Sequence, residues 1–109
     1  MNPSLFDDLP LTQNRDVDRY LTLTKKVMPA IACRSDVNWP VSADHCFQRI
    51  VLDALFKDVW YRHLGKPAYR HLTPAQAARA VALCEDIIAG RVDLHALNAA
   101  SLQYRGKER

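Results

Sequence analysis

The chain holds 109 residues, 49% hydrophobic and 25% charged, with a net charge of +3. That length and balance fit one globular domain with a real core and exclude wholesale disorder. A surplus of three positive charges is too mild to mark a nucleic-acid binder by itself, and no apolar run nears the ~18 residues that would span a membrane.

The first residues, Met1 to Asp8, are acidic and lack the basic stretch of a signal peptide. Three cysteines, Cys33, Cys46 and Cys84, are an odd number and form no disulfide framework, so a reducing cytoplasm is the expected home. Three glycines leave little material for tight hairpins. The expectation is an all-α domain of four helices, a bundle or an orthogonal array, over residues 12–103. An extended N-terminal arm (1–11) and a basic C-terminal tail (104–109) flank it.

The first helix is expected from Thr12 to Met28. Val17, Tyr20, Leu21, Leu23 and Val27 are loosely helical in spacing. Thr22 and Thr24 weaken the pattern, and Pro29 marks a kink or an end. From Cys33 to Ser42 the chain reads as irregular, with Asn38-Trp39-Pro40 extended.

Ser42 is the expected N-cap of the second helix, Ala43 to Leu64, with Asp44 in its first turn. Phe47, Ile50, Val51, Ala54, Leu55 and Val59 form its apolar face. Arg49, Asp53 and Lys57 share the polar face at i, i+4 spacing, as do Asp58 and Arg62. Gly65 is the expected stop.

Thr73-Pro74-Ala75-Gln76 spells a capping box with proline at the first helical position. That helix should run to Ala89 and end at Gly90. Ala77, Ala80, Val81, Cys84, Ile87 and Ile88 make its buried stripe, and the alanines allow close approach of a neighbour. Asp93 can cap a last helix, Leu94 to Leu102. Asn98, Ser101 and Gln103 are a polar set that can cap this helix or hydrogen-bond across it. The tail from Tyr104 is expected to fray.

The densest feature is a doubled Tyr-Arg-His-Leu, at Tyr61 to Leu64 and at Tyr69 to Leu72, eight residues apart. From Val59 to Cys84 the chain has no Asp or Glu but carries Arg62, Lys66, Arg70 and Arg79, leaving the rest of the chain at −1. Arg and Lys contact phosphates, and aromatic rings stack on bases. The candidate nucleic-acid or anion-binding residues are therefore Arg62, Lys66, Arg70, Arg79, His63, His71, Tyr61 and Tyr69, with Trp60 as added stacking area. The plain alternative is aromatic rings packed in the core and basic groups solvated or paired with distant acids.

His45, Cys46, His63, His71, Cys84 and His95 contain no close metal-ligand pair, so no metal is expected. Cys46 is the best nucleophile by position, in the first turns of a helix, but no catalytic motif surrounds it. Cys84 reads as a small hydrophobe. Gly-rich phosphate loops are lacking, and no cofactor is expected. Two functions lead. One is a small non-enzymatic nucleic-acid-binding or nucleic-acid-associated regulatory protein. The other is a protein-interaction module that uses a helical groove and an exposed Trp39 anchor. An enzyme ranks third.

Overall fold

The computed structural model describes residues 14–106, and every regular element in that span is helical. The expected arm lies outside the described residues, as do positions 107–109 of the expected tail.

Helix α1 (Arg15–Thr22) begins at Asn14, whose Oδ1 accepts the Val17 backbone N–H at 3.3 Å. It passes without a break into a π-helical turn (Leu23–Val27) and then α2 (Met28–Ala32). Pro29, expected to mark a kink or an end, does not end the helix. Proline cannot donate to the carbonyl four residues back and its ring crowds that group. Just before it, the Met28 N–H instead reaches Leu23 O, five residues back, so the helix is already widened where the ring enters. The buried Thr24 hydroxyl donates to Tyr20 O at 2.9 Å and accepts from Gln48 Nε2 at 3.1 Å. Its polar group is thus satisfied inside the core.

Helix α3 (Asp44–Phe56) starts and ends differently from the expectation. Ser42 lies outside it. Ala43 occupies the cap position, and Asp44 Oδ1 accepts the His45 N–H at 2.8 Å. At the other end Lys57 turns left-handed, φ 54°, and the helix stops eight residues before Leu64. The cause lies in Asp53. Its backbone carbonyl accepts the N–H groups of Lys57 and Asp58, and its side chain accepts that of Trp60 at 2.9 Å. Three donors converge on one residue, and the chain is bent away from the helix axis.

Helix α4 (Pro74–Ala89) has the expected capping box: the Gln76 N–H donates to Thr73 Oγ1, and the Thr73 N–H to Gln76 Oε1, at 3.1 and 2.9 Å. Gly90, φ 78°, ends it as expected, with Arg91 N–H on Asp86 O and Gly90 N–H on Ile87 O, a Schellman closure. Helix α5 (Leu94–Tyr104) is capped by Asp93, as expected, and extends two residues past Leu102.

The first three segments act as one helix, so four helices make the domain. Helix α3 is its centre, packed against α4, α5 and the π-turn, while α1 lies along α4. Phe47, Ile50, Val51 and Leu52 of α3 are buried among Tyr20, Leu23 and Met28 on one side and Ala77, Ala80 and Cys84 on another. Ala77 and Ala80 add little bulk at that contact. Arg19 and Glu85 join α1 to α4 at the surface, 2.7 Å apart.

Candidate functional site

The doubled Tyr-Arg-His-Leu folds into the same local structure twice. Trp60–Arg62 and Ala68–Arg70 are each one 3-10 turn, entered from an extended residue, Val59 or Pro67. Each is closed by a histidine N–H donating three residues back at 2.9 Å, His63 to Trp60 O and His71 to Ala68 O. The leucine that ends each copy, Leu64 at 9% exposure and Leu72 at 8%, is an anchor in the core. Tyrosine, arginine and histidine are left on the outside, fully or in part.

These outer groups do not share one fate. Asp58, directly before the acid-free window, takes two of them: Arg62 NH1 lies 3.2 Å from Oδ1 and His63 Nε2 3.1 Å from Oδ2. The His63 ring also stacks on Phe56, centroids 4.9 Å apart. The hydrogen bond from the Val59 N–H, followed by that to His63, holds the Asp58 carboxyl below the usual carboxylate range. Lys66 and Arg70 have no carboxylate partner among the described residues. Lys66 Nζ stands 5.0 Å from the centroid of the Tyr61 ring, and the Arg70 guanidinium 5.9 Å from that of Tyr69. Tyr61, 48% exposed, is the large hydrophobic side chain most open to solvent among those described. The His71 ring lies over Gly65, where a Cβ would come within 2.9 Å of Nε2. Gly65 therefore makes room for a ring; it does not stop a helix.

Arg79 is exposed on α4, and no hydrogen bond, ion pair or ring contact among the described residues joins it to the twin turns. Trp39 is partly buried, its ring edge-on to Phe47 at 5.6 Å. Most of the exposed anchor expected there is thus spent on the core.

The polar centre of the domain departs from the expectation. Asp53, expected on the solvated face of its helix, is wholly buried. Its carboxylate accepts from Arg105 Nε at 2.9 Å, Arg105 NH2 at 3.1 Å, Ser101 Oγ at 2.7 Å and the Trp60 N–H. Arg49 completes the network, donating to Ser101 Oγ at 2.7 Å and Asn98 Oδ1 at 2.9 Å. Asn98 and Ser101 thus hydrogen-bond across to α3, one of the two roles expected of them. Arg105, expected in a fraying tail, is held against α3. The available signal was an Asp placed directly between Leu52 and Ala54, beside the apolar face of the helix.

Beside this network a cavity of about 320 Å³ opens between α1, α3 and the twin turns. Lys25, His45 and Arg49 contribute cationic or ionisable side chains, and Tyr20, Trp60 and Tyr69 contribute rings. Leu21, Leu52, Pro67 and Ala68 make it largely apolar, and no carboxylate lines it. Of the candidate site residues expected from sequence, Tyr69 reaches it, together with Trp60, expected as added stacking area. Lys25, His45 and Arg49 lie outside the acid-free window, and only the fold brings them to one place.

Burial, then the charge of Glu85, pushes the Cys84 thiol up to about 12. Burial, then the neighbouring Cys84, raises the Tyr20 phenol above its usual range. Cys46 lies in the first turn of α3, half-buried, and Cys33 is exposed. Among the described residues, no three His, Cys, Asp or Glu side chains gather where a metal ion could be held. No helix among them is long and apolar enough to cross a membrane. Comparison with models of known families, with curated proteins and with solved structures finds nothing that matches this chain.

Proposed function

We propose that the protein binds nucleic acid through its twin turns, with exposed bases of a single strand on Tyr61 and phosphates on Lys66 and Arg70. The observation that carries this reading is that two cations without a carboxylate partner among the described residues each lie over a tyrosine, Lys66 over Tyr61 and Arg70 over Tyr69. Stacking supplies about 1–3 kcal/mol per base. Tyr61 carries two cations, Lys66 and the Arg105 guanidinium, the latter 5.5 Å from its centroid. Arg105 is held by Asp53, so a base would displace Lys66, an exposed cation–π contact worth only about 0.5–1 kcal/mol. Exchange therefore favours the base, and it frees the lysine for a phosphate. Arg62 contributes less, because Asp58 already neutralises it.

Fluorescence anisotropy with short single- and double-stranded oligonucleotides at two salt concentrations tests this. Affinity should fall with salt, with a log–log slope of about −0.7 per neutralised phosphate for a single strand. Lys66→Ala/Arg70→Ala should flatten that slope, and Tyr61→Ala should weaken single-strand binding roughly tenfold. A folded sample that binds no oligonucleotide even at low salt would sink the proposal and put the protein-interaction reading first.

A further inference from the structure

We propose that the cavity between α1, α3 and the twin turns is a binding site for a small planar aromatic anion, a body of one or two rings bearing a carboxylate or a phosphate. The inference stands on residues other than Tyr61, Lys66 and Arg70, and it does not depend on nucleic-acid binding.

Size sets the first limit. About 320 Å³ is at the low end of the range for small-molecule sites, roughly 300–1,000 Å³, and suits one compact ligand. Shape and polarity set the second. The walls are mainly apolar, and Trp60 and Tyr69 offer ring surfaces, which favour a flat partner in offset or edge-on contact.

Charge sets the third. Arg105 satisfies the buried Asp53 carboxylate directly, which leaves Arg49 bonded only to neutral acceptors, the Ser101 hydroxyl and the Asn98 amide. Lys25 has no ion pair among the described residues. His45 faces Asp44 across 3.6 Å, and Asp44 does not line the cavity. Two permanent cations therefore border an apolar space without a direct counter-charge. An anion placed there gains charge-assisted contacts in a medium less screening than water. Arg49 is also pinned by α5 and need not be reordered on binding.

The test is an NMR titration of the full chain, with the Trp60 indole N–H, identified by comparison with Trp39→Phe, and the backbone of residues 45–52 as reporters. The probes are 2-naphthoate for the carboxylate arm, adenosine 5′-monophosphate for the phosphate arm and the uncharged 2-naphthalenemethanol as control. Saturable shifts at these positions with either anion support the site, and the better anion assigns the acidic group. Lys25→Met, at an exposed position without an ion pair among the described residues, should weaken binding of the anion about tenfold, as loss of one charge-assisted contact implies. The alcohol should bind at least as poorly as the naphthoate does to that variant. The site is overturned if neither anion gives saturable shifts at millimolar concentration in low salt, or if the shifts lie away from the cavity. It is equally overturned if the alcohol matches naphthoate and Lys25→Met changes nothing. Loss of oligonucleotide binding in the Tyr61 or Lys66/Arg70 variants leaves these outcomes unaffected.

Discussion

Asp53 and Arg105, 52 residues apart in sequence, share two hydrogen bonds around a carboxylate that is wholly buried. The pair ties the C-terminal end of α5 to the last turn of α3, and the same carboxylate bends the chain after Phe56 by accepting from Trp60. A buried charge stripped of its partner is costly, whereas replacing the whole pair costs much less. Arg105→Ala should therefore lower stability by about 3–5 kcal/mol. The double variant Asp53→Leu/Arg105→Ala should lose less than the sum of its single changes. Chemical denaturation of the four proteins measures the coupling, and additive losses would refute it.

Helix α4 depends on its cap to a smaller degree. Thr73→Ala should cost about 1 kcal/mol, and Thr73→Gly only a few tenths. Equal losses in urea denaturation would mean that the hydroxyl acceptor is not what the alanine variant lacks.

The three cysteines should separate by access. Cys33 is exposed, Cys46 half-buried and Cys84 buried, with its thiol pushed up to about 12. Only the thiolate attacks a disulfide reagent. Ellman's reagent should modify Cys33 first and leave Cys84 untouched until the protein unfolds. Mass spectrometry locating early label on Cys84 would contradict the packing of α4.

Asp58 gives the 57–63 corner an acid limit. Its folded carboxyl lies below the ordinary value of 3.8. Its contribution to stability is then complete above the unfolded-state value and is lost as pH falls through the folded one. Asp58→Asn should be less stable than the parent at neutral pH, and the gap should close on acidification below 3.8. A gap that stays constant through acid would show that the charge of Asp58 holds nothing there.

What could be read from the chain, and what could not, divides by distance. The Thr73–Gln76 box, Asp93 and Gly90 act within a few residues, and each does what its local chemistry implies. The end of α3 defeated local reading because Leu55, Val59 and Leu64 keep roughly helical spacing; the stop comes from the Asp53 side chain accepting seven residues ahead. Asp53 itself looked solvated, since Arg49 and Lys57 flank it at i±4, whereas its true partner is Arg105. The cavity was hidden for the same reason. Lys25 comes from α1's extension, His45 and Arg49 from α3, and Trp60 and Tyr69 from the twin turns. The doubled motif is plain in the sequence, yet only its folded form shows that the leucines are anchors and that Asp58 captures Arg62.

The π-turn at Leu23–Val27 fits an extra residue into one winding of the first helix. Each residue advances an α-helix by about 100°, so positions before and after this turn are out of phase with any single stripe drawn along residues 15–32. That offset is why Tyr20, Leu23 and Met28 can all be buried although their spacing looks only loosely helical. Were the same residues wound as an ordinary α-helix throughout, the surplus residue would swing α1 about 100° relative to α2. Tyr20 and Lys25 would turn away from the cavity wall, and Arg19 from Glu85. The position of this surplus residue thus sets which side of the first helix faces the rest of the domain.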